Sequence, residues 1–188
     1  MDIPADKEKD FVTSVKKALT EIDPDWESYG GLLVVGSHTP SNVKLKLLQL
    51  KDARENNIPT LGICLGMQLM AIEYARNEMA FEGATSEEFG EEGEFMIQKL
   101  PELRVGMKPV GDYLESHWHN YALLSGWFTN NMEVDWDFTF TGPIVEEMRL
   151  KKHPFYMGVQ YHPEYQSSKD KPHPLLVAFI DACKRTAA

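Results

Sequence analysis

The sequence predicts an α/β fold: a three-layer sandwich with a mostly parallel central sheet and a small antiparallel annex. Three observations carry this reading. Two short apolar stretches, Leu32-Leu33-Val34-Val35 and Asn57-Ile58-Pro59-Thr60-Leu61, are each followed by a segment with helical spacing. Strands buried on both faces read as such runs, and strand–helix alternation with short links is the mark of a parallel sheet covered by helices. Between the second strand and its helix lies Gly62-Ile63-Cys64-Leu65-Gly66-Met67-Gln68, whose glycines permit a sharp turn. Beyond residue 77 the pattern changes to short β-like segments broken by Gly, Pro and Asn, which predicts hairpins. At 188 residues the chain is expected to form one domain with a sizeable core.

Taken in order, residues 5–20 predict an amphipathic helix. Phe11, Val15, Ala18 and Leu19 share a face, and Lys7, Lys9, Lys16 and Lys17 stay in water. Asp23-Pro24-Asp25 breaks it. The first strand ends in a loop over 36–40, and Ser41 or Asn42 can cap a helix over 42–56 with Val43, Leu47, Leu50 and Ala53 inward. The helix after the glycine turn covers 69–76. Glu87, Glu88, Glu91, Glu92 and Glu94 read as a solvated acidic loop. The β-like segments are 95–97, 103–107, 117–124, 133–140, 144–150 and 155–161; Trp127, Trp136, Phe138 and Phe140 are expected to pack on sheets. A closing helix near 173–185 turns Leu176, Phe179, Ile180 and Cys183 inward.

Composition narrows the function classes. Hydrophobic and charged fractions of 43% and 26% are ordinary for a globular protein. A formal charge of −10 with no basic cluster excludes nucleic acid and anionic membrane as expected partners. No apolar run reaches membrane-spanning length, and Met1-Asp2-Ile3-Pro4-Ala5-Asp6 is not a signal peptide. Cys64 and Cys183 form no disulfide framework, so the default expectation is cytoplasmic.

The chemistry lies in two motifs. A nucleophile between two glycines, at a strand-to-helix turn, is a nucleophile elbow that pushes Cys64 out at a helix N-terminus, where unpaired N–H groups and the helix dipole favour thiolate. The alternative is a core cysteine beside a glycine-rich turn. Far downstream, a β-like segment runs into His162-Pro163-Glu164, a histidine with a carboxylate two residues on that can hold its imidazole. A Cys64–His162–Glu164 set pairs thiolate with imidazolium. His117 and His119 alternate on one strand face, yet no third metal ligand has suitable spacing, and no metal is expected.

Gly-Ile-Cys-Leu-Gly-Met-Gln together with Gly-Val-Gln-Tyr-His-Pro-Glu resembles the class I (triad) glutamine amidotransferases, and within them the amidotransferase domain of CTP synthase. Further matches are the stretch 53–59, Tyr74-Ala75-Arg76, Ser86-Glu87-Glu88-Phe89, Asp112-Tyr113-Leu114-Glu115, His153-Pro154-Phe155 and residues 10–19. The resemblance implies a flavodoxin-like sandwich and a reaction without cofactor. Cys64 attacks the side-chain amide of glutamine, His162 protonates the departing ammonia, and water releases glutamate from a thioester. It implies oxyanion donors at Leu65 and at Gly36-Ser37, and substrate contacts from Gln68 and Glu88. Ammonia passes to a synthetase partner or domain.

The chain also departs from the family. A Gly-Gly-Phe-Gly loop is replaced by Gly36-Ser37-His38-Thr39, where Ser37 is expected to disturb an oxyanion donor. An Arg-His-Arg-His-Arg-Tyr run is replaced by Ser116-His117-Trp118-His119-Asn120-Tyr121. There Trp118 stands where an arginine is expected to bind the α-carboxylate, with His117 beside it. The family's first strand, and most of its second around 21–23, are not found ahead of the first apolar run. Two alternatives therefore stand beside glutamine hydrolysis: another γ-glutamyl amide as substrate, or a silent homologue acting as a binding or regulatory partner.

Overall fold

The computed structural model describes residues 7–90 and 92–187, with side chains from residue 11 onward. Residues 5 and 6 of the expected first helix, the side chains of Lys7, Lys9 and Asp10, the segment Met1 to Asp6 and Glu91 lie outside the described residues. In chain order the elements are α1 (Lys7–Ile22), β1 (Leu32–Val34), α2 (Val43–Glu55), β2 (Thr60–Ile63) and α3 (Leu65–Asn77). There follow β3 (Ala84–Ser86), β4 (Glu94–Val110), β5 (Tyr113–Leu123), α4 (Trp127–Met132), β6 (Trp136–Thr141), β7 (Ile144–Leu150), β8 (Tyr156–Val159) and α5 (Pro174–Ala187).

The larger sheet has the order β1-β2-β8-β7-β6. Strands β1, β2 and β8 are parallel, and β8, β7 and β6 continue antiparallel. Helices α1 and α5 cover one face, and α2 and α3 the other. Alternation along β2 feeds both layers. Leu61 and Ile63 pack toward α1 and α5, whereas a side chain at Gly62 would lie 2.4 Å from Met70 Sδ on α3. The smaller sheet, β3-β4-β5, joins a parallel pair to the long antiparallel ribbon of β4 and β5.

Helix α3 is buried from Leu65 to Ala75. The one carboxylate in that stretch, Glu73, is fully buried and held by Arg54 of α2 in a two-pronged pair at 2.9 Å each, while Arg54 also reaches Glu78 at 2.7 Å. A forked guanidinium matches a carboxylate in this way.

Several expectations change. The first strand is an edge strand with Leu32 and Leu33 only half-buried, because β1 pairs on one side alone. Asn42 occupies the cap position of α2 in a left-handed conformation (φ 52°) and makes no side-chain cap bond. The segments assigned to an antiparallel annex divide: β4 and β5 enter the small sheet, but β6 and β7 extend the main one. The stretch 133–140 starts beside the short helix α4, which carries Trp127 half-exposed against Phe81 and Phe128 rather than on a sheet. Phe140 is likewise 37% exposed, whereas Trp136 is core. Cys183 packs as expected, its thiol pushed up to about 11 by burial. Among the described residues no helix is long and apolar enough to cross a membrane.

Candidate active site

Cys64 leaves β2 with φ 56° and ψ −109°, a backbone region that a side chain rarely occupies. The sheet and helix hold it there. Its N–H donates to the Val159 carbonyl at 2.7 Å, continuing the β2–β8 ladder by one residue, and α3 begins immediately at Leu65. A Cβ at Gly66 would sit 2.0 Å from the Val34 carbonyl oxygen, so the elbow needs glycine on steric grounds. The Leu65 N–H lies in the first helical turn, where backbone donors have no intrahelical acceptor.

The neighbouring strand supplies the base. Ile63 and Val159 are partners in the ladder, so both chains leave the sheet at its carboxyl end side by side. His162 follows β8, is fully buried, and its Nδ1 lies 2.8 Å from Glu164 Oε1. A 3₁₀ turn over Pro163–Gln166 brings Glu164 back beneath the ring. Phe11 and Tyr165 stack on the imidazole with centroids at 5.1 and 4.9 Å. Burial works against the imidazolium, but the Cys64 side chain and the Glu164 carboxylate outweigh it and raise the His162 pKa well above its ordinary value. Gly36 keeps the space beside both groups clear: a Cβ there would lie 3.1 Å from His162 Cε1 and 3.2 Å from Cys64 Cβ. The structure thus brings together Cys64, His162 and Glu164, with Gly36 against them.

A cavity of about 530 Å³ opens on the cysteine. Of the sequence-predicted residues, Ser37, Cys64, Leu65, Gln68 and Glu88 line it. Ser37 is buried and is not among the residues with positive φ; its hydroxyl accepts from Thr39 N–H at 3.1 Å. Glu88 lies in a 3₁₀ turn (Glu87–Phe89), half-buried in the cavity wall rather than in a solvated loop, and burial pushes its carboxyl up to about 7.

Two predicted contacts fall elsewhere. Trp118 is not in the cavity wall; its ring packs against His38 and Phe11 at 5.3 and 6.0 Å. His117 is buried behind the wall, and the residues of β5 that reach the cavity are His119, Asn120 and Tyr121. Lys99 and His38 also line it. Apart from His38, in the loop read as altered, none of these was singled out for the pocket from sequence, although the His119-Asn120-Tyr121 end of the strand continues the run read there. Sequence reasoning also missed Gln160. This fully buried amide, two residues before His162, donates from Nε2 to Cys64 Sγ at 3.6 Å and accepts from Gln68 Nε2 at 3.1 Å.

Behind the wall, the fold supplies the third group that spacing did not reveal. His117, His119 and Glu146 of β7 offer atoms within 4.8 Å of one another, all buried. The His119 ring is already committed, whereas His117 Nε2 is buried without a hydrogen-bond partner. His119 Nδ1 is 3.0 Å from the Tyr121 carbonyl, which only accepts, so Nδ1 carries the proton and Nε2 accepts from His117 Nδ1 at 3.1 Å. The Arg104 guanidinium lies 2.7 Å from Glu146, placing a fixed positive charge where a metal ion's charge would sit. That charge and the committed His119 ring disfavour a cation at this cluster.

The family profile described as "Glutamine amidotransferase class-I" matches residues 9–182. CTP synthase of Aquifex aeolicus is 37% identical over 84% of this chain, and that of Methanoculleus marisnigri 34% over 86%. CTP synthase of Bacillus subtilis is 35% identical over 84%. In each case the match spans 35% of the relative, so the chain covers about a third of the length of these proteins. Among solved structures, the glutaminase domain of Trypanosoma brucei CTPS, with bound acivicin, superimposes with a TM-score of 0.78 over 96% of this chain and 89% of that one. The identity there is 21%, and the likeness is one of fold.

Proposed function

This chain belongs to the class-I glutamine amidotransferase family, and from that premise we propose that it hydrolyses the side-chain amide of glutamine through Cys64, His162 and Glu164. The observation that carries the proposal is the buried 2.8 Å His162–Glu164 bond set beside the elbow cysteine. Cys64 sulfur attacks the amide carbon, forming a C–S bond. The oxyanion is met by the Leu65 N–H and by the loop at Gly36 and Ser37. His162 gives its proton to the nitrogen, the C–N bond breaks, and ammonia leaves a γ-glutamyl thioester. His162 then takes a proton from water, which attacks the thioester, and glutamate departs as the thiol is restored. Glu164 orients His162 throughout. Gln68 Oε1, buried and without a hydrogen-bond partner, suits a donor on the substrate, and Glu88 suits an ammonium group.

By analogy with its relatives, the ammonia is passed to a synthetase partner or domain. The acidic chain fits no nucleic-acid partner, and free buried thiols fit the cytoplasm. A second reading, hydrolysis of a different γ-glutamyl amide, is favoured by Asn120 in the cavity wall where no arginine is present to fork onto an α-carboxylate. The decisive experiment is mass spectrometry after exposure to a glutamine-like diazoketone, with iodoacetamide in parallel and Cys64→Ala as control. An adduct on Cys64 from the glutamine mimic, with ammonia release from glutamine, is expected. Alkylation by iodoacetamide alone gives the lead to another amide. A Cys64 inert to both overturns hydrolysis and favours a silent, partner-binding homologue.

A further inference from the structure

The two amides beneath the nucleophile have only one possible orientation. The Tyr121 carbonyl can only accept, and Gln68 Nε2 lies 3.0 Å from it, so the Gln68 NH₂ points that way. The same NH₂ lies 3.1 Å from Gln160, which must present its oxygen there. The NH₂ of Gln160 is therefore turned toward Cys64 Sγ, at 3.6 Å. Gln160 is fully buried and Gln68 is 2% exposed to solvent, so water does not compete for either group. A buried amide is retained at a cost unless its hydrogen bonds are made.

We propose that Gln160 is a catalytic residue: its side-chain amide donates a hydrogen bond to the Cys64 sulfur and stabilises the attacking thiolate, with Gln68 as the positioning residue that fixes the direction of that donor. The proposal rests on the reading of Cys64 as nucleophile. It supplies something His162 cannot. The imidazolium proton leaves with the amine, so His162 ceases to be a charged donor midway through the reaction. A carboxamide does not titrate, so its N–H stays on the sulfur before attack and again when the thioester breaks and sulfur leaves as an anion. Hydrogen bonds to a charged partner are stronger than those between neutral groups, which places the benefit on the thiolate rather than the thiol.

The test is the pH dependence of Cys64 alkylation by iodoacetamide in wild type, Gln160→Met and Gln160→Glu, each checked by circular dichroism. Iodoacetamide needs no glutamine pocket, so failure of the glutamine reading leaves this measurement intact. Methionine fills the space without a donor; glutamate keeps the acceptor for Gln68 but turns an oxygen toward the sulfur. The alkylation midpoint is expected to rise from wild type to Met and further to Glu. At pH 7, Gln160→Met is expected to lose about 10- to 100-fold in alkylation rate, the scale of a charge-assisted hydrogen bond. In glutamine hydrolysis kcat carries the loss and KM stays within about twofold. A merely structural tie predicts lower Tm with the midpoint unmoved, or equal effects of Met and Glu. Either result overturns the proposal, as does a wild-type Cys64 that does not alkylate. If Gln160→Met does not fold, the Glu variant alone decides by the sign of its shift.

Discussion

Replacing Arg54 by methionine tests what holds the elbow helix in place. Glu73 sits on α3 with its side chain fully buried, and Arg54 on α2 is 8% exposed. Removing the guanidinium strands a carboxylate in the interior, a change that costs about 3–5 kcal/mol. Asn77 Nδ2 remains 3.2 Å from Glu73 Oε1, which places the expectation near the lower end, about 3 kcal/mol. For a chain of this size each kcal/mol lowers Tm by roughly 2–4 °C, so a drop of roughly 6–12 °C is expected in thermal unfolding. Urea unfolding should give a matching loss at unchanged m-value. The double variant Arg54→Met/Glu73→Leu removes both charges and is expected to recover most of the loss, since the penalty belongs to the orphaned acid and not to the missing bond. A loss below about 1 kcal/mol, or a double variant no more stable than the single one, refutes the reasoning.

Two further outcomes are expected. Because burial raises Glu88 to about 7, the folded chain retains a proton there that the unfolded chain has released. Stability from this group therefore falls as pH rises between about 4.5 and 7, and Glu88→Gln should remove that part of the slope; the same wild-type and variant difference in Tm at pH 5 and pH 8 contradicts it. The second concerns the carboxylate end of the substrate. Asn120 faces the cavity and Trp118 does not, so Asn120→Arg should lower KM for glutamine while Trp118→Arg should not. A gain from Trp118→Arg alone reverses the assignment, measured by ammonia release.

The candidate site was readable in the sequence because each half of it is local. The elbow needs two glycines about one cysteine, and the histidine and its acid are two residues apart, so no long-range pairing has to be known. The helices were readable for the same reason: Val15, Leu19, Phe179 and Ile180 repeat at helical spacing and all face the core. What stayed hidden depends on partners distant in the chain. Nothing near residues 136–150 says that β6 and β7 join the main sheet through β8 and not the small one. Trp118 and Asn120 lie on the same side of a strand, and only the course of the ribbon decides which reaches the cavity. Gln160 received no role from the sequence because its partners, Cys64 and Gln68, are more than 90 residues away. Asn42 has the composition of a cap, but its left-handed backbone makes no side-chain cap bond.

The division of the site between two sheets has a consequence for how such a protein can diversify. Cys64, Gln160 and His162 issue from adjacent strands in the middle of the main sheet, where any shift disturbs packing on both faces. Lys99, His119, Asn120 and Tyr121 belong to the β4–β5 ribbon, whose strands pair mainly with each other and already tolerate an irregular register between Lys99 and Arg104. Under the proposed reading, substitutions on the ribbon can therefore change the cavity wall without reaching Cys64, His162 and Glu164. The triad candidates and the variable-looking wall thus sit on separate sheets, and the altered run from Ser116 to Tyr121 lies entirely on the ribbon.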